Sequence, residues 1–105
     1  MYRWVFHIFC WIVLSSRAWG QDTPEMFYIR GENFRKSNNF IAALDEYDKA
    51  LNADPNNPKY NFARGICYFK LKDYENAIKD LEKSLKGKPD NVAAYIAIAQ
   101  SYNGM

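Results

Sequence analysis

Two stretches decide the fold: Pro24–Asn57, PEMFYIRGENFRKSNNFIAALDEYDKALNADPNN, and directly after it Pro58–Asn91, PKYNFARGICYFKLKDYENAIKDLEKSLKGKPDN. Laid over one another they are offset by 34 residues and agree at Pro24/Pro58, Arg30/Arg64, Gly31/Gly65, Lys36/Lys70, Ala43/Ala77, Lys49/Lys83, Leu51/Leu85, Pro55/Pro89 and Asn57/Asn91. Other positions keep their character, among them Phe34/Tyr68, Phe40/Tyr74 and Leu44/Ile78. A period of this length marks stacked units, each unable to bury its apolar face without a neighbour.

Within each copy the apolar and small residues follow a helical period. In the first they fall at 27, 31 and 34, and again at 40, 43, 44, 47, 50 and 51, so the copy reads as two amphipathic helices. Ser37-Asn38-Asn39 and Lys72-Asp73 are the short turns between them. Asp54–Pro58 and Gly87–Asn91 stop one helix and start the next, because proline is barred from a helix interior and accepted in its first turn. Helices are therefore expected at 24–37, 40–53, 58–71, 74–86 and 92–103, an all-α chain. Gly31, Gly65 and Ala99 fall where paired helices come closest, and Cys67 reads as a small buried hydrophobe.

The first copy carries Phe27-x-x-Arg30-Gly31-x-x-Phe34, Ala43-x-x-x-Tyr47, Ala50 and Pro55. The second carries Asn61-x-x-Arg64-Gly65-x-x-Tyr68, Ala77-x-x-x-Leu81, Ser84 and Pro89, and a third begins at Tyr95-x-x-Ile98-Ala99-x-x-Tyr102. The pattern resembles the tetratricopeptide repeat family over residues 24–103. It departs from that family at Arg30 and Arg64 (usually leucine), at Asn61 and Leu81 (usually aromatic) and at Ser84 (usually alanine). The resemblance implies antiparallel helix-turn-helix units stacked as a short right-handed α-solenoid of about two and a half repeats. The units would be 24–57, 58–91 and the first helix of a third at 92–105, after a short linker at 21–23.

The family resemblance also implies a concave groove, lined by the first helix of each unit, that holds a protein or peptide partner. Its lining here would be Glu25, Tyr28, Ile29, Glu32 and Arg35, then Lys59, Phe62, Ala63, Ile66, Phe69 and Lys70, then Ala93, Ile96, Ala97 and Gln100. Tyr28, Phe62, Ile66, Phe69 and Ile96 would form an apolar stripe, and such patches tend to mark partner sites. The other reading of the same stripe is that part of it is core. Members of the family that grip acidic chaperone tails use a clamp of basic and asparagine side chains; the matching positions here hold Tyr28, Glu32, Ala63, Ala93 and Ala97.

Residues 1–20 have a different composition. A basic start, Met1-Tyr2-Arg3, precedes the apolar run Trp4–Leu14, and Ser15–Gly20 brings small residues at Ala18 and Gly20. This order matches an export signal peptide cleaved before Gln21. The run is shorter than the roughly 20 apolar residues of a spanning helix, though it would act as an anchor if left uncleaved. Cleavage would remove the single histidine, His7, all three tryptophans, Cys10, Arg3 and Arg17. Fourteen basic residues would become 12 against 12 acidic ones, taking the net charge from +2 to zero.

A neutral domain lacks the basic footprint of nucleic-acid binding. Without histidine it cannot build a histidine-assisted nucleophile, and one thiol supplies no His/Cys metal site. No glycine-rich phosphate loop is present, and Asp45, Glu46 and Asp48 read as a solvated helix face. No enzyme activity, cofactor or small-molecule substrate is expected. The expectation is an exported adaptor for a protein or peptide. The alternative is a self-associating module or the start of a longer repeat assembly, suggested by the apolar last helix with Val92, Tyr95, Ile96, Ile98 and Tyr102.

Overall fold

The computed structural model describes residues 21–105, so the signal-peptide reading of 1–20 lies outside the described residues. Five helices follow one another: α1 (Pro24–Lys36), α2 (Phe40–Ala53), α3 (Pro58–Lys70), α4 (Tyr74–Gly87) and α5 (Val92–Gly104). Each opens on a side-chain cap that satisfies an otherwise unpaired amide. Thr23 Oγ1 accepts from Met26 N at 3.2 Å, Asn39 from Ala42 N at 3.2 Å, and Asn57 from Lys59 N at 3.0 Å. Asp73 and Asn91 do the same for Asn76 N and Ala94 N.

The helices of a unit turn back on each other. Pro58, at the start of α3, meets Gly87 at the end of α4, while mid-helix Gly65 meets Leu81. Tyr74, at the start of α4, meets Gly104 at the end of α5, so this pair is antiparallel as well. Small residues set the spacing. A Cβ on Gly31 would stand 2.5 Å from the Tyr47 ring, and one on Gly65 would stand 2.9 Å from Leu81 Cγ.

Three groups of buried side chains result; in one, Ala50, Leu51 and Tyr60 pack with Phe27 and Tyr28. Ala43, Tyr47, Ala63 and Cys67 pack with Tyr28, Phe40 and Leu44 where α1, α2 and α3 meet. Ala77, Leu81, Ala94 and Ala97 pack with Phe62, Ile66 and Phe69 where α3, α4 and α5 meet. Cys67 is fully buried, and burial pushes its thiol up to about 11.

Four details differ from the sequence expectation. First, α1 ends at Lys36 and α3 at Lys70, each one residue early, because Asn38 (φ 60°) and Lys72 (φ 63°) take the left-handed conformation. Asn39 N bonds to Phe34 O and Asn38 N to Arg35 O; Asp73 N and Lys72 N repeat this with Tyr68 O and Phe69 O. These are Schellman closures made without the usual glycine.

Second, Gly87 is the last helical residue of α4 and not its stop. Its φ is not positive; it is small because Pro58 lies against it. Third, Glu46 is not on a solvated face. It is buried, 3.4 Å from Lys49 and 3.7 Å from Arg30. Fourth, Asn61, standing where an aromatic is usual, is fully buried with neither amide atom hydrogen-bonded, and Ser84 Oγ is also unpaired.

The arginines in the usual leucine positions form cross-links. Arg64 reaches Asp80 at 2.7 and 2.9 Å and Asp48 at 3.0 Å, joining α3 to both α4 and α2. Arg30 reaches Asp22 at 2.8 Å and lies over the Phe27 ring at 5.3 Å.

Thermal unfolding of two variants checks this account. Gly31→Ala gains about 1 kcal/mol of helix propensity but forces an overpacking cost of about 1–3 kcal/mol, so its Tm is expected to fall. Lys72→Gly removes the cost of a left-handed non-glycine residue, about 1 kcal/mol, and its Tm is expected to rise. A raised Tm for Gly31→Ala would show that Tyr47 can move aside.

Candidate functional site

Tyr28, Glu32 and Arg35 recur at i, i+4 and i+7 and so occupy one face of α1. On α3, Lys59, Phe62, Ala63 and Ile66 share a face in the same way. Together these seven side chains line a concavity of ≈270 Å³ between the two helices. Beside it, Lys59 and Phe62 also bound a second concavity of ≈580 Å³, closed by Pro58, Lys88, Asp90, Asn91 and Val92. The two hollows share a wall and run from α1 toward the start of α5.

Tyr28 forms the apolar wall on the α1 side. Its ring lies 6.0 Å from that of Tyr47 and 5.2 Å from that of Tyr60. Lys59 Nζ sits 4.5 Å above the Tyr28 ring, a cation–π distance, and bonds Glu25 at 3.0 and 3.1 Å. Tyr60 Oη donates to the same carboxylate at 3.0 Å. These hydrogen bonds from Lys59 and Tyr60 hold the Glu25 carboxyl below its usual value.

The other polar wall is anchored in the core. Arg35 donates to Glu32 from Nε at 3.2 Å and from a terminal nitrogen at 2.7 Å. Tyr47, buried beneath them, donates its hydroxyl to Glu32 Oε1. Burial pushes the Glu32 carboxyl up, but the bonds from Arg35 and Tyr47 outweigh it and hold the group below its usual 4.5. Burial and then Glu32 push the Tyr47 hydroxyl far up, so it stays protonated and donating.

The residues expected to line a groove separate into three sets. Tyr28, Glu32, Arg35, Lys59, Phe62 and Ile66 come together around the first concavity. Phe62 and Ile66 also lean on the α3–α4–α5 core, so the groove and core readings describe two sides of the same residues. Phe69 packs in that core with its ring 6.0 Å from that of Tyr74, and Ala97 is buried there as well.

Lys70, Ile96 and Gln100 are exposed and line neither hollow; Ile96 is 53% accessible. Lys88, Asp90 and Val92, which close the second hollow, were missed. Periodicity places residues on helix faces and says nothing of where an inter-repeat loop folds.

Comparison with known proteins follows the same 34-residue unit. A family described as "Tetratricopeptide repeat" matches residues 58–91, and one described as "TPR repeat" matches 31–72. This is a tetratricopeptide-repeat chain. It is similar to the Hsp70-Hsp90 organising protein of Plasmodium falciparum (isolate 3D7), 27% identical over 86 residues, covering 77% of this chain and 15% of that one. It is also similar to the human small glutamine-rich tetratricopeptide repeat-containing protein beta, 44% identical over 52 residues, covering 50% and 17%. The E3 ubiquitin-protein ligase CHIP of Arabidopsis thaliana is 34% identical over 65 residues, covering 62% and 23%. The chain thus spans less than a quarter of each of these three relatives' lengths.

The Glu32 knot gives the repeat unit an acid sensitivity of known sign. A carboxyl lowered by folding adds stability that is complete above its unfolded value and is lost as pH falls through the folded value. For Glu32 that window lies below 4.5. The Tm measured between about pH 6 and pH 3 is expected to fall, and to fall less steeply in Glu32→Gln, whose Tm near pH 6 is already lower. An equally steep decline in the variant would place the acid sensitivity elsewhere.

Proposed function

We propose that the chain is an exported, non-catalytic tetratricopeptide-repeat scaffold that binds a segment of another protein in the hollow between α1 and α3. The segment is held by apolar side chains and not by ion pairs. The observation that carries this reading is that both groove cations are already neutralised from within. Arg35 is held by Glu32 at 2.7 Å and Lys59 by Glu25 at 3.0 Å. A partner carboxylate would have to displace a carboxylate already in place. An apolar side chain meets Tyr28, Phe62, Ala63 and Ile66 and displaces only water.

The relatives support a protein-binding role at a coarser level. The Plasmodium protein is named as an organiser of Hsp70 and Hsp90. In this chain, the positions that would carry a clamp for acidic tails hold Tyr28, Glu32, Ala63, Ala93 and Ala97. The proposed partner therefore differs in chemistry from an acidic tail.

Peptides selected from a random library on the immobilised protein test this. Aromatic and aliphatic sequences are expected. Their affinity should change less than about threefold between roughly 0.05 and 0.5 M salt, because no new ion pair is there to be screened. Ile66→Lys should weaken binding about tenfold or more, as loss of a central apolar contact does. A selection that yields no apolar sequences would overturn the proposal, as would acidic termini that compete with the apolar peptides for this hollow. So would undiminished binding to a folded Ile66→Lys.

A second reading rests on α5. Tyr95, Ala99 and Tyr102 occupy the positions of Phe27, Gly31 and Phe34 in the first copy and of Asn61, Gly65 and Tyr68 in the second. In those copies the face meets Tyr47 of α2 and Leu81 of α4. On α5, Tyr95 and Tyr102 are 52% and 59% accessible. A further helix of the α2 type would cover them, supplied by continuing repeats or by another molecule. Native mass spectrometry of the protein from its source separates the readings. The adaptor reading expects a chain starting at Gln21 and monomeric at about 100 μM. A dimer or a longer chain favours the second reading, and retained residues 1–20 would overturn cleavage.

A further inference from the structure

α4 presents Lys79, Lys83 and Lys86 at i, i+4 and i+7 on one face. With Asn56, Glu82 and Gly87 they surround a concavity of ≈520 Å³ on the second-helix side of the solenoid, lined by none of the groove residues. Among the described residues, the ion pairs engage Arg30, Arg35, Lys49, Lys59 and Arg64, and none of these three lysines.

The repeat supplies an internal control. The equivalent face of the first copy holds Asp45, Lys49 and Asn52, and Lys49 is paired with Asp45 at 3.2 Å. The second copy keeps the lysine, as Lys83, but puts Lys79 where its partner carboxylate would be and Lys86 where Asn52 would be. Residues 24–57 carry 4 basic and 6 acidic side chains, and residues 58–91 carry 8 and 5. A domain that is neutral as a whole thus concentrates uncompensated positive charge on one unit.

We propose that this hollow binds an acidic polypeptide segment, whose carboxylates take the partners that Lys79, Lys83 and Lys86 lack within the chain. The site is separate from the apolar groove and does not depend on it. A second copy of the chain is a poor occupant, because the first unit's Asp45, Glu46 and Asp48 already pair with Lys49, Arg30 and Arg64. A flat anionic membrane meets protruding cations better than cations around a hollow with Glu82 among them. A nucleic acid would find neither arginine nor aromatic side chain in the lining.

The test is fluorescence anisotropy of a labelled decaglutamate peptide titrated with the protein at about 50 mM salt, where surface charges are screened least. Lys79→Gln/Lys83→Gln/Lys86→Gln is expected to weaken binding about tenfold or more. Lys36→Gln/Lys70→Gln/Lys72→Gln, which removes the same charge elsewhere, should weaken it less than about threefold. Circular dichroism establishes that both variants fold. Three results overturn the proposal: no binding of decaglutamate, equal loss in the two variants, or co-sedimentation with phosphatidylserine vesicles without binding of the peptide.

Discussion

α1 and α2 approach so closely that the Tyr47 ring occupies the space beside Gly31 where any side chain would begin. Much of the first unit follows from this contact. With the ring lying against Gly31, its hydroxyl reaches Glu32 on the groove side. Glu32 is thereby held in place and in turn holds Arg35. A packing decision in the core so becomes an electrostatic property of the groove. In the second unit Leu81 takes the ring's place against Gly65; the spacing is preserved, but no hydroxyl emerges.

The two copies therefore share a backbone and divide the chemistry. The first supplies Tyr28, Tyr47, the Glu32–Arg35 pair and the Glu25 carboxylate that meets Lys59 of the second. The second supplies Phe62 and Ile66, the three-way Arg64 cross-link and the unpaired lysines of α4. Its core is also less well satisfied. Asn61 and Ser84 bury polar atoms without partners, and each such group carries a cost of about 1–3 kcal/mol. The first copy has Phe27 and Ala50 at those positions and avoids the cost.

Helix existence was legible throughout, because apolar spacing, proline and asparagine caps are all local signals. Ends were less so. Asn38 and Lys72 close their helices in the left-handed conformation, a role that composition assigns to glycine; the true glycine near a helix end, Gly87, serves packing instead. Glu46 misled for a related reason. Asp45 and Asp48 beside it are solvated, but Glu46 turns inward, where the half-exposed Arg30 and Lys49 reach it from the surface and make its burial tolerable.

By itself the sequence determined the repeat: a 34-residue period with helical spacing admits one kind of packing, helix pairs stacked on their neighbours. The family resemblance it carries implied, in addition, that Tyr28, Glu32, Arg35, Lys59, Phe62 and Ile66 lie on the inner helices. Only the tertiary structure decided what those residues offer a partner. Whether Lys59 and Arg35 are free cations or spent ones depends on Glu25 and Glu32 standing within 3.1 Å of them. The same holds for Lys79, Lys83 and Lys86, which in sequence look no different from Lys49. Charge is written in the chain, but its availability is set by distances that exist only once the helices have packed.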